Sequence, residues 1–218
     1  MCIIYNSFEK KFAGFIAKRN TEKYVNRKLP FEFLLLALLG AVSGIIAFSE
    51  ICRHESYSLE YVIYHLDSTL KNCVLFSDYF SEILNTSKPD IRNLFFIFIS
   101  GFTYFCWPAC AVMIFSKGFL YGFSALYLAE ALVMLDIPSG RLVLIIFIAS
   151  RVLLSAVAIY LATISCIFSY RFREIKSNRS VLRRAPITYK YFFIFIYSTG
   201  GILLINYIYC FFIYNILR

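Results

Sequence analysis

Glu130 and Arg151 are the most expensive residues in this chain, because each interrupts a long apolar run. A charge in the middle of a hydrocarbon layer costs several kcal/mol unless it is paired or faces water. Counted inward from the turn at 136–141, both fall in the same half of such a layer, on consecutive antiparallel segments. The expectation is a Glu130–Arg151 ion pair facing a bundle interior. Such a pair is structural glue or one step of a proton or ion path, unless each side chain instead snorkels to the edge of the layer. Pro108 and Asn206, also at depth, add to the transport option.

Other chemistry is sparse. The two histidines, His54 and His65, share a segment with Cys52 and Asp67, but the spacing matches no common zinc pattern. Cys52 and Cys73 are candidates for a disulfide only if that segment brings them together. Cys106, Cys110, Cys166 and Cys210 lie in apolar runs and read as small apolar residues. The sequence contains no HExxH, CxxC, GxSxG, P-loop or dinucleotide fingerprint. The expectation is a protein that is not an enzyme, with no cofactor and no metal.

The elements that position these residues follow from composition. Of 218 residues 60% are hydrophobic and only 16% charged, and the mean hydropathy is +0.70. A soluble domain is about 45–50% apolar and about 25% charged. The class is therefore an all-α, multi-pass membrane bundle with short loops. About 20 apolar residues cross a hydrocarbon core about 30 Å thick. Five segments qualify, at 31–49, 93–115, 118–135, 142–169 and 189–217, and Pro30, Pro89, Pro138 and Pro186 stand at or before their entrances.

Loop charges set an orientation. Residues 1–30 carry Lys10, Lys11, Lys18, Arg19, Lys23, Arg27 and Lys28, and the loop 170–188 with its flank carries Arg171, Arg173, Lys176, Arg179, Arg183, Arg184 and Lys190. Both are expected in the cytoplasm. The segment 50–92 carries Glu50, Glu55, Glu60, Asp67, Asp78, Glu82 and Asp90 and is expected outside. Five crossings then place the N-terminus inside and Arg218 outside. The net charge of +9 follows this membrane pattern, which argues against nucleic acid as a partner. No cleavable signal peptide is expected.

Two further helices are expected at the membrane surface. Ile4, Phe8, Phe12 and Ile16 recur every four residues among lysines, so residues 1–30 form either a basic amphipathic arm on the anionic inner leaflet or a solvated arm. In the outer segment, Leu59, Val62, Leu66 and Leu70 form an apolar stripe after an N-cap at Ser58. That stripe lies on lipid, packs on the protein itself, or docks a partner.

Close packing is signalled by glycine pairs at i and i+4, Gly40 with Gly44 and Gly118 with Gly122, which also leave self-association into a homo-oligomer open. Pro108 is expected to kink the second span. Lys117 is expected at a cytoplasmic turn between the second and third spans. Together the aromatic span containing that proline, the lysine turn and the segment Ser116-Lys117-Gly118-Phe119-Leu120-Tyr121-Gly122-Phe123 resemble the stage II sporulation protein M family of endospore-forming bacteria. The fourth span, at Ala149–Ala156, lacks the prolines of relatives, which marks a divergent member. The resemblance implies a non-catalytic scaffold in the mother-cell membrane. It implies partners that degrade peptidoglycan outside the membrane, a lytic transglycosylase and an amidase/endopeptidase, which drive engulfment. A small transporter or permease subunit using Glu130 and Arg151 is the alternative.

Overall fold

The computed structural model describes residues 28–52, 79–134, 139–177 and 184–217. These form five helices: α1 (Lys28–Cys52), α2 (Tyr79–Ser100), α3 (Cys106–Met134), α4 (Gly140–Ser177) and α5 (Arg184–Leu217). Four of them, α1, α3, α4 and α5, are long and apolar enough to cross a membrane. The basic arm at 1–27 and the outer stripe of Leu59, Val62, Leu66 and Leu70 lie outside the described residues, as do His54, His65, Asp67 and Cys73.

Each helix buries a stripe at spacings of three and four, the pattern that keeps one face of a 3.6-residue helix inward. On α2 the stripe is Ile83, Ser87, Asp90, Leu94 and Ile97; on α3 it is Cys106, Cys110, Ile114 and Lys117. On α4 it runs Val143, Phe147, Ser150, Leu154, Ala158, Leu161, Ser165 and Phe168, and on α5 Tyr191, Ser198, Ile202 and Asn206. The opposite faces expose large apolar side chains, including Leu38 and Ile46, Val112 and Leu120, Ile145 and Leu153, and Leu204. A soluble bundle would put polar residues there, so this inversion is what lipid as solvent demands.

Helix α4 packs along α3 and α5, and α2 contacts α3, α4 and α5. Ser100 meets Cys110, and Asp90 meets Lys117, so α2 and α3 run antiparallel. Gly40 faces Phe115 and Phe119 while Gly44 faces Phe119 and Phe123, so α1 runs parallel to α3. The chain thus alternates direction from helix to helix.

The expected boundary between the second and third spans is corrected. The chain turns at Gly101–Phe105, not at Ser116-Lys117, and α3 continues unbroken through Lys117 and Gly118. The turn is built from short bonds: the amides of Gly101, Phe102 and Thr103 donate to the carbonyls of Phe98, Ile99 and Ser100 at 3.1, 3.0 and 2.9 Å. Side chains satisfy the end carbonyls that a helix terminus leaves open. Tyr191 donates to Phe98 at 2.7 Å, and Ser169 donates to Thr103 at 2.8 Å. A Cβ on residue 101 would collide with the Tyr191 hydroxyl, so any larger residue there would have to displace that buried ring.

Pro108 is corrected with it. It occupies the first turn of α3, where an N–H would have no intrahelical acceptor, so it opens the helix and does not kink a span. The span-two residues are shared out between α2 and α3. In consequence residues 79–92, expected in the outer loop, belong to α2. At 22 residues α2 is about 33 Å long, but its first half is polar, and it is not among the four helices apolar enough to cross a membrane.

Candidate functional site

The polar half of α2 sets its charge against the middle of α3 and α4. Asp90, 4% exposed, lies with Oδ1 3.1 Å from Nζ of Lys117 and Oδ2 3.7 Å from Nη1 of Arg151. The Tyr121 hydroxyl donates to Asp90 Oδ1 at 2.7 Å. Lys117 and Tyr121 are four residues apart on one face of α3, the spacing at which helical side chains meet. Lys117 Nζ is 5.7 Å from the centre of the Tyr121 ring.

Arg151 sits among three rings. Its guanidinium carbon is 4.7 Å from the centre of Phe147, one turn earlier on α4, and 5.5 Å from the centres of Tyr121 on α3 and Tyr209 on α5. Desolvated cation–π contacts of this kind are worth about 2 kcal/mol or more, which offsets part of the cost of burying the charge. One turn along α2, Ser87 accepts a hydrogen bond from Asn206 of α5 at 3.0 Å, with both residues fully buried. A continuous polar layer therefore crosses the bundle from α2 to α5.

One carboxylate against two cations leaves one positive charge in excess. Lys117 Nζ and Asp90 Oδ2 are held by their ion pairs, whereas Arg151 Nε and Asn206 Oδ1 are buried and make no hydrogen bond among the described residues. The layer holds helices in register through charge and supplies fixed dipoles at mid-bundle.

The expected Glu130–Arg151 pair is therefore corrected. Arg151 turns to Asp90, and Glu130 lies exposed near the far end of α3. The reason is helical phase: Lys117 and Tyr121 carry the inward face of α3, whereas residue 130 falls on its outer face. Lys117, expected as an interfacial anchor, is 3% exposed inside the bundle.

The glycines fall on a neighbouring face of α3. A Cβ on Gly40 would strike the Phe115 carbonyl oxygen, and one on Gly44 that of Phe119. Reciprocally, a Cβ on Gly118 would strike the carbonyl oxygen of Ala37, and one on Gly122 that of Ala41. Above this seam, Phe48 packs edge-on against Phe123 at 5.2 Å between ring centres.

Sequence reasoning missed Asp90 by counting it with the acids of the outer loop. The available signal was the stripe Ile83, Ser87, Asp90, Leu94, Ile97, whose spacing continues unbroken from the polar half of α2 into the apolar half. It also missed that Cys106 and Cys110 share a face of α3 and meet Cys166 of α4. Compared with protein-family models, with curated proteins and with solved structures, the chain matches none.

Proposed function

We propose that this chain is a non-catalytic membrane scaffold of the stage II sporulation protein M type, which holds peptidoglycan-degrading enzymes at the outer face of the mother-cell membrane. The observation that carries the reading is the use made of Ser116–Phe123, the part of the resemblance left once the lysine turn and the span-internal proline are corrected. Lys117 enters the ion layer, and Gly118 and Gly122 enter backbone contact with α1. Those residues work as architecture, which suits a protein whose task is to present a surface. The alternation of helix directions suits five crossings, with the basic segments at 1–27 and 171–190 in the cytoplasm and the C-terminus outside.

The docking surface in this reading is the outer segment, with Leu59, Val62, Leu66 and Leu70 as anchors for a groove in the enzyme and its acids setting on-rate. Replacing Val62 and Leu66 together by Ser should leave membrane insertion intact and abolish co-purification of wall hydrolases from sporulating cells. Normal retention of those enzymes by the double variant would overturn the proposal.

A second reading is a small transporter subunit, favoured by the buried charges of Asp90, Lys117 and Arg151 and by the unpartnered Arg151 Nε and Asn206 Oδ1 at mid-bundle. Intramembrane ionisable groups commonly mark ion or substrate paths. Flux in proteoliposomes that is lost with Asp90→Asn and kept with the outer-segment variant would favour it over the scaffold.

A further inference from the structure

At the end of the bundle nearest the α2–α3 turn, three thiols converge. Cys106 and Cys110 come from the first two turns of α3, and Cys166 crosses from α4. The Sγ atoms of Cys106 and Cys110 are 3.9 Å apart, those of Cys106 and Cys166 are 3.7 Å apart, and all three lie within 4.8 Å of one another. Their exposures are 1%, 0% and 9%. Nothing in the packing of small apolar residues requires three sulfurs to share one point, and Ala or Val fills such volume equally well.

We propose that Cys106, Cys110 and Cys166 form a trigonal three-sulfur site for a soft monovalent cation, Cu(I). The argument is first geometric. An ion placed centrally with metal–sulfur distances of about 2.2–2.3 Å sets the sulfurs about 3.8–4.0 Å apart, close to the 3.9 and 3.7 Å of two of the pairs, and the third lies within 4.8 Å. It is next one of ligand count. A structural zinc site is closed by four donors. Among the described residues the cluster offers three sulfurs, and the neighbouring Ser100 hydroxyl, 3.3 Å from Cys110 Sγ, donates to the Ile97 carbonyl at 2.7 Å. Soft sulfur donors without nitrogen or carboxylate oxygen select Cu(I).

Charge and access agree. Binding releases thiol protons and builds negative charge on the sulfurs. The ion layer, with its one excess positive charge, lies on the same face of α3, because Lys117 and Tyr121 stand about three turns beyond Cys106 and Cys110. Cys106 directly follows the turn residues Phe102 to Phe105, which are exposed, so the site stands within about two helical turns of the bundle end. Bound there, the ion cross-links α3 to α4.

The test uses the full chain in lipid nanodiscs under anaerobic, reducing conditions, with Cys2, Cys52, Cys73 and Cys210 replaced by Ser so that only the three clustered thiols remain. Titration with Cu(I) against a colorimetric Cu(I) chelator should show one ion per chain, a sulfur-to-copper charge-transfer band, and a three-sulfur shell in X-ray absorption. Cys166→Ser in that background should weaken binding at least tenfold, and Cys110→Ser should do the same if the first variant fails to fold. No competition with the chelator, or unchanged affinity in both folded variants, would overturn the site. So would a disulfide between two of the three in the anaerobically purified protein, or a preference for Zn(II) with a four-donor shell.

Discussion

Two faces of α3 hold the bundle together by opposite means. Toward α1 it offers Gly118 and Gly122, which admit the carbonyls of Ala37 and Ala41 at backbone distance. Toward α2 and α4 it offers Lys117 and Tyr121, which meet Asp90 beside Arg151. In lipid, apolar side chains gain nothing by leaving one another for solvent, so close van der Waals contact and polar links must supply the association. The seam does this without burying any polar side chain and depends on having no side chain at all. The ion layer pays heavily in desolvation and depends on every partner being present. The two faces should therefore fail in different ways.

The ion layer should fail hardest. Removing the only carboxylate among Asp90, Lys117 and Arg151 leaves two buried cations facing one another. Loss of one partner from a buried ion cluster costs about 3–5 kcal/mol, whereas replacement of all partners by apolar residues of similar size is often neutral. Asp90→Asn should accordingly lower the stability of the micellar protein by that amount in a denaturing-detergent titration. Adding Lys117→Met and Arg151→Met should recover most of the loss. A triple variant with simply additive losses would mean that the three charges are not one unit.

The seam should fail next, and its signature is a sign. Alanine exceeds glycine in helix propensity by about 1 kcal/mol, so Gly→Ala on a free helix face stabilises. Gly200 of α5 has nothing within 4 Å of an added Cβ, and Gly200→Ala should be neutral or stabilising. Gly122→Ala drives a methyl into backbone of α1 and should destabilise by about 1–3 kcal/mol, because a carbonyl oxygen cannot rotate away as a side chain can. Equal responses at the two positions in the same titration would show that α1 and α3 are not held at backbone distance.

The contrast also explains how much was legible in the sequence. Apolar runs and loop charges were enough for an all-helical membrane bundle, and the helices α1, α4 and α5 begin and end close to where hydropathy places them. The glycine pairs were visible as spacing because their signal is local to each helix. The ion layer was not, because it joins residues from separate helices, and which carboxylate reaches Arg151 depends on the rotation of α3 and the starting point of α2. That starting point was hidden by composition. Polar residues such as Asn85, Lys88 and Arg92 lower the hydropathy of α2 below that of a span, while its inward stripe carries on through Ser87 and Asp90. Hydropathy averages over a helix circumference, and α2 differs from one side to the other. The displaced turn has the same origin: the apolar run 93–115 is one stretch in composition but is divided by Gly101 and reopened by Pro108.

Glu130 marks the other end of the scale and closes the comparison. It belongs to α3, as Lys117 does, yet it is exposed one turn from the helix end, where its carboxylate can reach interfacial water, so its loss removes no buried contact. Such changes usually fall within about 0.5 kcal/mol. Glu130→Gln should therefore have a small effect in the titration that registers Asp90→Asn strongly. The decisive measurement is the coupling to Arg151. If Arg151 spends its charge on Asp90, the combination of Glu130→Gln with Arg151→Met should equal the sum of the single effects, because distant sites without a shared partner add to within about 0.3–0.5 kcal/mol. Asp90→Asn with Arg151→Met should fall well short of its sum. A Glu130 cycle that couples as strongly as the Asp90 cycle would place α3 in a different rotation, with residue 130 turned inward. The same rotation would carry Gly122 off the face that meets α1, so this one cycle tests both faces together.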